Sequence, residues 1–222
     1  MLKNLGAHAF GYGYPTPVLM VSTYNDDGSI NVMNLHEAMR TNAGDLALCI
    51  GPRSKTHENV EKQGAFTVAL VDKSLIAEVD YLGTVTGYNV PDKFGCTGLT
   101  ATRSEYVNAP IIEGSRVVIE CNLVEIVNGT NFTTVLARIV NIAADESVLN
   151  ENGKIDVLKT GMLLYDPFGT NYVTLGEIVG KPWSEGRKFM CGELGIMQYV
   201  GQSEAIFAES RYSLLRDGWC AT

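Results

Sequence analysis

The chain has 222 residues, 45% of them apolar and 19% charged, with a formal net charge of −8. A chain of this length buries a sizeable core without staples and suits one domain of the larger all-β or α+β kind, which excludes a disordered or fibrous protein. The acidity, with no basic stripe, argues against nucleic acid as a partner, and the longest apolar runs, residues 46–50 and 68–71, are too short to span a bilayer.

Residues 1–8 lack the basic-then-apolar order of a signal peptide. The five cysteines, Cys49, Cys96, Cys121, Cys191 and Cys220, are odd in number and form no C-x-x-C pair. A reducing compartment fits them, so a cytoplasmic protein with no membrane partner is expected.

Residues 18–24 are rich in β formers, Asp27-Gly28 follows, and the apolar pattern resumes over 30–33, which predicts a hairpin. Residues 46–50 predict a third strand, closed by Gly51-Pro52. Residues 54–63 predict a helix: Ser54 or Thr56 can cap its start, Glu58 lies in the first turn, and Gly64 suits the position past the end. A buried strand is expected over 66–71. A second helix is expected over 74–82, with Leu75, Ile76, Val79 and Leu82 on one face and Gly83 ending it. Residues 84–100 have no clear period and hold several glycines; a long structureless stretch inside a compact domain is often functional.

Residues 116–127 and 132–142 read as long strands joined through Asn128-Gly129, and 172–175 as a last short strand. About six or seven strands joined mainly by hairpins, with helices between, predict a mostly β fold, an antiparallel barrel with helical insertions. Residues 1–186 form the expected domain. Residues 187–222 form a C-terminal extension with no assigned role, a tail that could wrap a partner.

Several chemistries lack their motifs. No P-loop, G-x-G-x-x-G after a strand, H-E-x-x-H or G-x-S-x-G occurs, and His8, His36 and His57 lie far apart. No metal site, catalytic side chain or reactive cysteine is assigned. Cys49 and Cys121 lie in strands and read as core thiols, whereas Cys96 lies close to Lys93.

One constellation does carry chemistry. In the run Gly51 to Asn59 a strand ends, the chain turns and a helix begins beside Arg53, Ser54, Lys55 and Thr56. A helix start offers unsatisfied N–H groups and partial positive charge, so these hydroxyls and cations suit a phosphate monoester; an ordinary capped helix with solvated cations is the plain alternative. The strand Ile30 to Asn34 carries small polar groups that could hydrogen-bond a flat heteroaromatic ring.

The order Pro17 to Thr23, Asp27-Gly28, Asn31-Val32-Met33, Gly51 to Asn59, Gly64 to Val68, Asp92-Lys93-Phe94, Gly98-Leu99-Thr100, Ala109 to Glu113 and Glu120-Cys121 resembles the flavin reductase-like family, in its flavoredoxin-like branch. The resemblance runs from about Pro15 to Gly186, with Tyr172 to Gly180 similar to the family's closing strand. It implies an FMN-binding split barrel of Greek-key type, working as a homodimer with flavin at the subunit interface. It further implies that Ser54, Lys55, Thr56 and Asn59 lie on the phosphate side, that Asn31, Val32, Met33 and Asn34 form the strand edge beside the ring, and that Lys93 approaches the flavin, where a cation would stabilise the reduced, anionic ring. Phe168 and Tyr172 are candidate aromatic walls, with core or interface packing as the alternative.

The chain departs from the pattern after Met33. Where relatives carry a bulky aromatic and then a proline pair, it has Asn34-Leu35-His36 and Asn42-Ala43-Gly44. His36 is a candidate replacement for that aromatic, with a plain core or surface histidine as the alternative.

The expectation is therefore a bound-FMN oxidoreductase that passes electrons through the flavin, with NAD(P)H or a redox protein as donor. Two alternatives stay open: an NAD(P)H:flavin reductase using FMN or FAD as substrate, and a non-enzymatic module binding FMN or haem.

Overall fold

A computed structural model describes residues 1–6, 13–42, 44–182 and 184–189. The chain divides into two compact units, Met1–Glu177 and Ile178–Thr222. In the second, the described part ends in a short 3-10 turn, Glu185–Phe189. Residues 190–222, most of the expected extension, lie outside the described residues, as do His8, Cys191 and Cys220.

In the first unit the strands are β1 (Thr16–Pro17), β2 (Leu19–Tyr24), β3 (Ile30–Leu35), β4 (Ala38–Arg40), β5 (Asp45–Ile50), β6 (Ala65–Leu70), β7 (Ala101–Arg103), β8 (Pro110–Ile112), β9 (Val117–Asn128), β10 (Thr133–Ala144), β11 (Leu163–Asp166) and β12 (Asn171–Thr174). The helices are α1 (Lys55–Gln63), α2 (Ile76–Thr84) and α3 (Val157–Thr160). Seven strands form one sheet in the order β3-β2-β6-β9-β10-β5-β4, and every pairing in it is antiparallel. The crossover from β5 through α1 to β6 carries the chain from one side of this sheet to its middle.

The sheet curls on itself. Leu19, Val21, Leu35, Leu48, Ile50, Phe66, Val68, Cys121 and Val135 share one core, and α1 contributes only Val60 to it. Little else among the described residues covers that face, and these side chains reach near-complete burial because the strands face one another across the concave side. The opposite face, around Val18, Met20, Val32 and Ala69, packs under α2, Phe94, Ile112 and Leu163. Strand β2 is therefore buried on both faces, which is why its sequence is a continuous β-forming run rather than an alternation.

Both hairpins expected from the sequence form. Gly28 takes φ 82 in the turn after β2, a conformation that glycine adopts without strain. The β9–β10 turn closes as a four-residue loop, residues 129–132, with Gly129 N–H donating to Phe132 C=O at 3.0 Å.

Helix α1 also follows its expected signals. Ser54 caps it, accepting from His57 N–H at 3.1 Å, and Gly64 ends it at φ 68. Three expectations are corrected. Among the described residues twelve strands form, not six or seven, because β1, β4, β7, β8 and β11 have only two to four residues each. Helix α2 runs past Gly83 to Thr84 and is capped at Val85. Gly83 serves close packing instead, since a Cβ there would stand 2.8 Å from Asn34 Cβ. Cys121 is core and its burial pushes the thiol up to about 12, but Cys49 is only half-buried and faces Thr134 Oγ1 at 3.8 Å. Among the described residues no helix is long and apolar enough to cross a membrane.

Phe66 is fully buried at the centre of the concave core. Phe66→Ala is expected to destabilise the chain by about 3–5 kcal/mol, read from the shift of a urea unfolding midpoint.

Candidate functional site

Strand β3 stands at one edge of the large sheet and pairs only with β2. Along its free edge lies a cavity of about 490 Å³, a size suited to a small-molecule ligand. One wall is β3, through Asn31, Met33 and Asn34; the second is the start of α1, through Ser54, Lys55 and Thr56; the third is the end of α2 with the loop that follows and Lys93.

A buried polar network fixes the start of α1 against the hairpin. Asn31 Nδ2 donates to Thr56 Oγ1 at 2.8 Å and lies 3.3 Å from Thr23 Oγ1. Asn59 Nδ2 donates to Thr23 Oγ1 at 3.0 Å and to Asn25 Oδ1 at 2.8 Å. Thr23, Asn31, Thr56 and Asn59 are all buried. Such groups stay buried without large cost only when hydrogen-bonded, so the network sets where the helix start can sit.

The same bonds decide what the helix start offers. Ser54 Oγ accepts from His57 N–H, and Thr56 Oγ1 accepts from Asn31. Neither hydroxyl hydrogen has an acceptor among the described residues, so each remains to be donated. The N–H groups of Lys55 and Thr56 belong to the first turn, where no intrahelical carbonyl reaches them. Although the whole chain carries −8, the cavity wall contains Lys55 and Lys93 and no carboxylate. The donor set matches an anion.

Lys93 is buried, and its ammonium donates to Leu82 C=O at 2.7 Å and Val85 C=O at 2.9 Å. These carbonyls stand at the C-terminal end of α2, where a cation is favoured. Burial pushes the Lys93 ammonium down to about 8, so it is still protonated at pH 7. Lys93 thus supplies a fixed positive charge to the wall and ties the loop after α2 in place. At the opposite end of Asn34, Nδ2 lies 3.4 Å from the Tyr172 hydroxyl, which donates to Asp80 Oδ1 at 2.9 Å. Asn34 Oδ1 is buried and has no protein partner. It is an acceptor beside the cavity.

Of the residues expected from the sequence, the structure brings Asn31, Met33, Asn34, Ser54, Lys55, Thr56 and Lys93 around this cavity. It places the others elsewhere. Val32 points into the core under α2, because strand alternation turns it there. Asn59 is one turn into α1 and is spent on the buried network. Arg53 is exposed on the turn before the helix. His36 stacks on Tyr165 with ring centroids 4.4 Å apart, and burial holds its imidazole below the usual range, so it is neutral at pH 7. Phe168 is exposed in the turn between β11 and β12, and Tyr172 reaches the cavity only through Asn34.

Residues 84–90 of the third wall carry no motif; the only sequence signal for them is the glycine-bearing stretch without a period. Among the described residues no group of His, Cys, Asp and Glu is placed to hold a metal.

Comparison with known proteins agrees with this architecture. The profile of the Flavin reductase like domain matches residues 11–172. The solved flavoredoxin of Desulfovibrio vulgaris (Miyazaki F) superposes with a TM-score of 0.77 at 30% identity, over 84% of this chain and 100% of that one. Flavoredoxin from Methanosarcina acetivorans gives 0.77 at 26% identity, over 85% and 100%. An uncharacterised protein of Aeropyrum pernix is 33% identical over 82 residues, which span 37% of this chain and 31% of that protein. The curled antiparallel sheet is the split barrel of these flavin proteins. On the profile match and the flavoredoxin likeness together, the chain belongs to the flavin reductase-like family.

Proposed function

We propose that the protein is an FMN-binding oxidoreductase of the cytoplasm that passes electrons through a bound flavin, in the manner its likeness to flavoredoxin suggests. The observation that carries this reading is the helix start at the cavity wall, where Ser54, Lys55 and Thr56 hold unspent donors and no carboxylate lines the cavity. These residues would hold the phosphate. The free edge of β3 would lie beside the ring, with Asn34 Oδ1 as an acceptor for a ring N–H and Lys93 as a fixed cation near it. The flavin, when bound, supplies the redox chemistry. The chain's own residues bind and orient it, and none of them needs to act as nucleophile or metal ligand.

A homodimer is part of the same proposal. Val124, Val127, Phe132, Val140 and Ile142 are exposed on the β9–β10 hairpin, and a second copy would cover that apolar stretch. The electron donor would be NAD(P)H or a redox protein.

The purified chain is expected to show a flavin absorbance spectrum, or to acquire one on titration with FMN, and to release FMN on denaturation. A chain that binds no FMN contradicts the reading. Lys55→Ala is expected to weaken FMN by roughly tenfold or more, because a charge-assisted bond contributes about 1.5–3 kcal/mol, while riboflavin changes little. Equal losses for the two ligands would remove the phosphate assignment.

Lys93 gives a pH test. Its charge is present below about 8 and lost above it, so removing the proton takes a positive charge from the wall. FMN affinity should fall as pH rises through about 8, and Lys93→Met should lack that step. Isothermal titration across this range reads it directly.

A further inference from the structure

The loop after α2 closes one end of the cavity as a strap. Thr86, Gly87 and Asn89 line it. Gly87 sits so close to the other walls that a Cβ there would stand 2.8 Å from Asn31 Oδ1 and 3.3 Å from Lys55 Cβ. Tyr88 then crosses to α1. Its ring centroid lies 5.7 Å from Lys55 Nζ, and its hydroxyl donates to Glu58 Oε2 at 2.6 Å. Glu58 Oε1 accepts from Lys55 at 3.0 Å and from Lys62 at 2.7 Å. Lys62 also pairs with Asp26 at 2.7 Å. Next to Lys55, and outside the cavity lining, stand a carboxylate and an aromatic ring, joined to each other.

We propose that Glu58 and Tyr88 act as a length stop, restricting the site to a phosphate monoester and rejecting a ligand whose phosphate continues into a second phosphate and a nucleoside. The proposal rests on the flavin-phosphate reading and deepens it: the site selects FMN against FAD. Two physical effects act together. A diphosphate would bring a further negative charge toward Glu58, and Lys62, Tyr88 and Lys55 all donate to that carboxylate and hold it down to about 2, so it is ionised at any working pH. Like charges brought together are the repulsive element that discrimination requires. The dinucleotide would also have to lift the strap, breaking the Tyr88–Glu58 bond and the close seat of Gly87 on Asn31 and Lys55. A monoester needs neither, because Ser54, Lys55 and Thr56 themselves line the cavity.

The test compares FMN and FAD affinities of the full chain by flavin fluorescence titration, for the wild type, Glu58→Gln, and Glu58→Gln combined with Tyr88→Ala. Glu58→Gln keeps the shape and removes the charge at a partly exposed helix position, so it folds even where the double variant does not. The wild type is expected to favour FMN over FAD by at least about tenfold, Glu58→Gln to narrow that ratio, and the double variant to narrow it by at least about tenfold. A wild type that binds FMN and FAD equally, or a ratio unmoved in a folded Glu58→Gln protein, overturns the length stop and leaves the FMN reading standing. A wild type that binds neither flavin overturns both.

Discussion

The site depends on one buried contact set, the hydrogen bonds that join Asn31 of β3 to Thr56 of α1 and, through Thr23, to Asn59. Helix α1 enters after a crossover from β5, and its axis could otherwise shift along the sheet. Four buried polar side chains allow no such freedom, because sliding the helix would strand amide and hydroxyl groups away from water. The network therefore places the first turn of α1 beside the free edge of β3. It also spends the acceptor side of Thr56, so that the hydroxyl hydrogen is left for a ligand.

A second constraint comes from α2. Its C-terminal end lines the cavity, and Lys93 turns that negative end into part of a positive wall by donating to the Leu82 and Val85 carbonyls. Gly83 and Gly87 let the helix end and the strap approach β3 and α1 closely, at places where a methyl group would collide with Asn34 and Asn31. The cavity is thus bounded by two helix termini of opposite polarity, each with a lysine, on the open edge of a curled sheet. In an acidic chain this is a local exception, and a local exception is sufficient to hold one small anion.

Much of this could be read from the residues alone, and the reasons differ by element. Helix α1 was legible because Ser54 and Gly64 bracket it with a polar cap and a left-handed stop. The β2–β3 and β9–β10 hairpins were legible because turn residues stand between β-forming runs. Strands of two to four residues, such as β1, β4 and β7, are too short to show a period, and their pairing is decided by distant partners such as β11 for β1. Gly83 looked like a helix terminator, but tertiary packing against Asn34 explains it. For the site, residue type and spacing identified Ser54, Lys55 and Thr56, and the family resemblance implied Lys93, while spacing could not show that Asn59 turns toward Thr23 and Asn25, that His36 stacks on Tyr165, or that residues 84–90 close the wall.

In the proposed complex the first turn of α1 receives a phosphate. The most direct measurement is a pair of amide proton–nitrogen spectra of the chain, one with FMN bound and one with riboflavin, which differ only by that group. The difference between them is expected to be concentrated at the backbone N–H groups of Lys55 and Thr56. A difference centred on any other segment, with these two amides unmoved, would contradict it.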